Sequence, residues 1–121
     1  MRAHDFEALV RDALSGLPAA FLDRLENVDV LVEEWPSSDQ LNGAGLDEDD
    51  LLYGLYEGVP LTEREGYNLA LPDRIIIFQG PIEEDCATAE EVVEQVCETV
   101  VHEVAHYFGI SDAQLEEWGV A

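Results

Sequence analysis

Lysine is absent from this chain, and five arginines face 28 aspartates and glutamates, which gives a formal net charge of −23 at pH 7. A surface of that sign repels phosphate backbones and anionic headgroups, which argues against nucleic acid and membrane surfaces as partners. Cysteine is scarce as well, with Cys86 and Cys97 alone. If both lie on or beside one helix, the rise over eleven residues separates them by about 16 Å, beyond disulfide reach. Reduced thiols in a cytoplasmic protein are the expectation. No apolar run approaches the roughly 18 residues of a membrane span, and the charges within MRAHDFEALVRDAL read against a signal-peptide core. There is no internal repeat and no low-complexity linker. What remains is 121 residues, 47% of them hydrophobic. That is enough to bury one core, so a single domain over 1–121 is expected and low-hydrophobicity disorder is not.

Periodicity divides the chain into short elements. Phe6, Leu9, Val10, Ala13 and Leu14 recur at helical spacing from Asp5 to about Leu14, with Gly16 and Pro18 as stop signals. Pro18 suits the first turn of a second short helix, with Phe21, Leu22 and Leu25 on its inner side. The β-branched alternation of Val28, Val30 and Val32 predicts a strand over 28–34. Residues 36–50, PSSDQLNGAGLDEDD, have no period and read as a long exposed loop. A second strand is predicted across Leu51 to Glu57 and a third, buried on both faces, across Arg74 to Gln79. Thr88 with Glu91 three residues later is a capping-box signature, and it opens about 20 residues of helix ending at Gly109. At 100° steps, Val93, Val96, Cys97, Val100, Val101, Val104 and Phe108 form one apolar stripe, whereas His102 and His106 fall opposite with Gln95 and Thr99. Ser111 and Gln114 repeat the capping pattern and start a terminal helix through Trp118.

The chemistry concentrates at His102-Glu103-Val104-Ala105-His106. Two histidines at i and i+4 stand one turn apart on one helix face, so both imidazoles reach a single metal ion at about 2.0–2.1 Å. Glu103, 100° round from His102, is placed as a general base toward a metal-bound water without being a ligand. About one chain in a hundred of this composition carries a bare HExxH by accident, and about one in ten thousand carries it with Gly109 and Asp112 at these offsets. The extended motif is therefore the specific signal. A catalytic site needs three protein ligands and one open position. A helix reaches a metal beside its own last turns a third time only by reversing. Gly109 permits the left-handed turn that does so. Asp112, Glu116 and Glu117 are the downstream candidates for the third ligand, of which Asp112 is preferred. Plainer readings go to other residues: His4 to the surface, Cys97 to the core, and the clusters Asp47 to Asp50 and Glu83 to Asp85 to solvated acidic surface, since neither has the ligand-and-glycine spacing of a calcium loop.

With HEVAHYFGISD from His102 to Asp112, the chain resembles the small bacterial zincin-like metallopeptidases whose motif is HExxHxxGxxD. The resemblance extends through FEALVRDALSGLP, NVDVLVEEWP, LLYGLYEGVPL, LPDRIIIFQGPI and the final helix. It implies an α+β fold, a minimal metzincin-like domain with a small twisted mixed sheet packed on a long HExxH helix. It also implies zinc held by His102, His106 and Asp112, with Glu103 as catalytic base. No methionine follows Met1, so the Met-turn of full metzincins is missing.

The leading reading is a zinc metallopeptidase that hydrolyses peptide bonds through metal-activated water. By analogy with metzincins, an extended peptide or protein substrate would pair along residues 51–57. Tyr53, Tyr56, Tyr67 and Tyr107 are candidate oxyanion stabilisers, and the field favours basic substrates. The alternative is a non-catalytic metal-binding scaffold or regulator of zincin fold. An acidic decoy mimicking nucleic acid is a third reading, but it gives no reason for the motif. One prediction concerns stability. Neighbouring carboxylates such as Glu33 and Glu34 repel at low salt, so the melting temperature should rise from low to moderate salt; a flat profile would contradict this.

Overall fold

A computed structural model of the chain describes residues 1–25, 28–58 and 73–117, the side chains of 115–117 excepted. Helix α1 (Ala3–Ser15) is followed by α2 (Ala19–Leu22), strand β1 (Val28–Glu33), α3 (Ser38–Gly43), β2 (Gly54–Glu57) and β3 (Asp73–Phe78). Then come α4 (Gln79–Asp85), the long α5 (Ala89–Tyr107) and α6 (Asp112–Glu117). The fold is the expected α+β arrangement, a three-stranded mixed sheet packed on the long helix. Its order is β1-β3-β2, with β1 parallel and β2 antiparallel to β3.

The central strand owes its place to composition. Ile75, Ile76, Ile77 and Phe78 are all fully buried, as a strand with no polar face must be when both sides are covered. Ile75 and Ile77 project to the side where Phe6 and Val10 of α1, Ile82 of α4 and the α5 valines complete one cluster. Register places Gly54 opposite Ile77, Leu55 opposite Ile76 and Tyr56 opposite Ile75. The Phe78 amide donates to the Tyr53 carbonyl at 2.8 Å. Because inward and outward backbone groups alternate in an antiparallel pair, Gly54 and Tyr56 turn their own amides and carbonyls to the outer edge of β2.

Helix α5 carries four rows of side chains, and here the expected single stripe is corrected. Val92, Val96, Val100 and Val104 are buried in the core, but Val93, Cys97 and Val101 are exposed. Hydrophobicity alone could not separate these neighbouring valine rows. The second buried row is Thr99, Glu103 and Tyr107, of which Thr99 is expected opposite the apolar stripe. It is covered because β2 crosses it. A Cβ on Gly54 would lie 2.6 Å from Thr99 Cγ2 and 3.0 Å from Glu103 Cγ, and the rings of Tyr56 and Tyr107 meet edge to face, 5.8 Å between centroids. Only glycine lets β2 approach the helix so closely. The fourth row, Glu98, His102 and His106, borders the space beside β2.

Other departures are local. Within the expected loop 36–50, Ser37 and Gln40 form a full capping box that starts α3. Residues 79–85, read only as a strand end and an acid cluster, form α4. Phe21 and Leu22 are exposed, although the Phe21 ring packs edge to face on Phe108 at 5.3 Å. Trp118 lies outside the described residues. His4 is at the surface and Asp47 to Asp50 are exposed, as expected. Phe6 is fully buried between α1 and α5, so Phe6→Ala should cost about 3–5 kcal/mol in denaturant unfolding. A loss under about 1 kcal/mol would mean that α1 is not part of the cooperative core.

Candidate metal centre

The site is built by the last turns of α5 and the reversal after them. Thr88 caps the helix by accepting the Glu91 amide at 3.2 Å, and the Glu91 carboxylate accepts the Ala87 amide at 2.6 Å. At the far end of its 19 residues, Gly109 takes φ +81°. The Gly109 amide donates to the His106 carbonyl and the Ile110 amide to the Ala105 carbonyl, both at 2.9 Å, which is the hydrogen-bond pattern of a Schellman motif. The chain thus turns back as expected. Ser111 and Gln114 then form a reciprocal cap at 3.0 and 3.2 Å, which starts α6 with Asp112 as its first residue.

The reversal brings Asp112 onto the histidine pair. Its Oδ1 lies 2.7 Å from Nε2 of His102 and 2.7 Å from Nε2 of His106. The imidazoles stand 4.5 Å apart, inclined by 76°, and both Nε2 atoms meet at that one oxygen. One donor atom from each of these residues lies within 4.8 Å of the others. Two imidazole nitrogens and one carboxylate oxygen in that compass form a donor set suited to a borderline-soft divalent ion such as zinc. Of the other downstream candidates, the side chains of Glu116 and Glu117 lie outside the described residues.

Glu103 is buried, 6% exposed, against β2. Its Oε1 lies 3.1 Å from Nδ1 of His106. That contact is the main reason the His106 pKa rises to about 9, reinforced by Asp112 and opposed by burial. Asp112 is held below the usual carboxylate range, chiefly by its hydrogen bond to His106.

Around this cluster lies a cleft of about 580 Å³ walled by Leu46, Leu55 and Tyr56 on one side and by Gly109, Ile110 and Asp112 on the other. A second hollow of about 300 Å³ adjoins it along β2 and shares Gly54, His102 and Glu103. The candidate oxyanion donors are engaged elsewhere. Tyr56 donates to Asp73 at 2.7 Å and Tyr107 to the Arg24 carbonyl at 3.1 Å. Tyr53 donates to Asp85, which is the leading cause of a pKa raised to about 12. Tyr67 lies outside the described residues. Sequence reasoning missed Gly54, although a glycine inside a strand pattern is a readable sign of close backbone approach.

Among the described residues no helix is long and apolar enough to cross a membrane. A family model described as zincin-like metallopeptidase matches residues 25–120. In the comparison of structures, a conserved hypothetical protein from Thermo thermophilus is similar at a TM-score of 0.59 and 23% identity, over 89% of this chain and 94% of that one. No curated protein matches the chain.

The His106 shift has a sign that can be checked on protein stripped with a chelator. With a folded pKa near 9 against an ordinary value of 6.5, its stabilising contribution is complete below about pH 6.5 and is lost as pH rises through 9. Metal-free protein should therefore unfold at progressively lower denaturant between about pH 6.5 and 9.5, and zinc binding at about pH 7.5 should release protons. Calorimetry in buffers of different ionisation enthalpy reads the release, and a result independent of buffer would contradict the assignment.

Proposed function

The chain belongs to the zincin-like metallopeptidase family, and on that premise we propose that it is a zinc-dependent peptidase, working in the cytoplasm on extended and preferably basic peptides. The observation that carries this reading is the convergence of two Nε2 atoms and the Asp112 carboxylate beside a buried glutamate, in a cleft bordered by a sheet edge. His102, His106 and Asp112 would hold the metal. When bound, zinc supplies Lewis acidity to a scissile carbonyl and acidifies water to a pKa of about 7.

The remaining work falls to the chain itself. The outward amides and carbonyls of Gly54 and Tyr56 offer ladder hydrogen bonds to a peptide running antiparallel to β2. Glu103 takes the proton of the attacking water and returns it to the leaving amine. Its Oε1 is engaged by His106 Nδ1, which fixes the carboxylate plane and leaves the second oxygen for the proton. The wall of β2 keeps this base partly desolvated, with its stem against Gly54. The field of a chain with net charge −23 draws cationic peptides and repels nucleic acid.

Glu103→Gln should keep its zinc, by metal analysis, and lose at least about a hundredfold in kcat on a peptide library. Asp112→Ala should lower zinc affinity by about tenfold or more. Zinc-loaded wild type that cleaves no member of the library would refute the peptidase reading and favour a metal-binding scaffold.

A further inference from the structure

The smaller hollow beside the metal centre has a chemistry of its own. It is bounded by Leu51, Leu52 and Tyr53 before β2 and by Gln95, Glu98 and Thr99 on α5, and it opens to His102 and Glu103. Most of its polar groups are already satisfied. Thr99 Oγ1 donates to the Gln95 carbonyl at 2.7 Å, and Gln95 Nε2 donates to Thr99 Oγ1 at 3.2 Å. Tyr53 is tied to Asp85, and Glu103 Oε1 to His106. Glu98 is exposed, and among the described residues its carboxylate has neither a hydrogen bond nor an ion pair. It stands four residues before His102, hence one turn away on the same helix row.

We infer that Glu98 is a specificity-determining residue, the anionic end of a subsite that accepts an arginine or lysine side chain from the substrate. This rests on the peptidase reading for its orientation. A peptide antiparallel to β2 runs from the Glu57 end toward the Gly54 end, so it passes the 580 Å³ cleft first and the smaller hollow second. Gly54, His102 and Glu103 line both, which puts the reacting carbonyl between them. The hollow therefore receives the residue immediately C-terminal to the scissile bond. Its leucines suit a methylene stem, and Glu98 at its margin suits the charged head, the division of labour long cationic side chains adopt. Volume agrees, since about 300 Å³ is at the lower end for a ligand pocket and fits one long side chain. The local carboxylate differs in effect from the global charge, because its influence is confined to one substrate position.

The test uses fluorescent hexapeptides Ala-Ala-Ala-Xaa-Ala-Ala, with Xaa arginine, glutamine or glutamate, added to the zinc-loaded protein at moderate salt. Binding is read by polarisation and cleavage by identifying the products. Arginine should bind about threefold more tightly than glutamine, the size of one solvent-exposed charge pair. Glu98→Gln should abolish that ratio without changing zinc content, and Glu98→Arg should invert it in favour of glutamate. Asp12→Asn, on the exposed face of α1, removes the same charge elsewhere and should leave the ratio intact. No arginine preference in the wild type, an equal loss in Asp12→Asn, or arginine found at the end of the N-terminal product would each overturn the inference. Absence of cleavage with the Glu98-dependent preference intact would refute the peptidase reading and still support the subsite.

Discussion

The spacing between β2 and α5 is set where the Gly54 backbone rests against the side chains of Thr99 and Glu103. A methyl group there would have to displace one of them. This contact fixes how far the helix is rotated beneath the sheet. With Thr99, Glu103 and Tyr107 turned under β2, the row Val92, Val96, Val100 and Val104 is directed into the core built by Phe6, Ile75 and Ile77. The row with Glu98, His102 and His106 is left along the cleft. Rotating α5 by one residue would bury a histidine and expose a core valine. Candidate metal site, candidate base and hydrophobic core are thus three readings of one helix orientation.

Much of the site was legible because it is local in sequence. His102, Glu103, His106, Gly109 and Asp112 span eleven residues, and helical geometry with one left-handed turn brings them together without help from the rest of the chain. The capping signals at Thr88 and Ser111 and the apolar run of β3 were equally local. What escaped depended on partners distant in sequence. Nothing in the helix itself says that Thr99 and Glu103 are buried while Val93 and Val101 are exposed, since it is β2, distant in sequence, that lies against the former pair. Helix α3 escaped for a different reason: the capping box of Ser37 and Gln40 lies in a segment rich in glycine and acids, whose composition outweighed the motif.

Electrostatics at the centre run against those of the molecule. The chain has a large excess of negative charge, and still its candidate ligands include an exposed carboxylate, Asp112, 68% accessible. The two imidazoles and the start of α6 compensate it, because a helix N-terminus favours an anion in its first turn. The pairing that lowers the Asp112 pKa also raises that of His106, so in the absence of metal a proton occupies the position of a cation. Metal and proton compete for the same nitrogen, and the buried Glu103 shares in the outcome through Nδ1.

The two margins of the sheet are not equivalent. Along β1, Asp29, Leu31 and Glu33 alternate with valines at the margin away from β3, with Asp29 and Leu31 exposed. Two copies approaching each other there would oppose carboxylate to carboxylate, the device by which natural sheets avoid growing into fibres. Aggregation by edge pairing is thereby discouraged at β1 by charge. At β2, only four residues long, it is discouraged by brevity, which still leaves room for a short guest strand. A chain whose proposed substrate pairs along one sheet margin is thus kept from treating its own copies as guests.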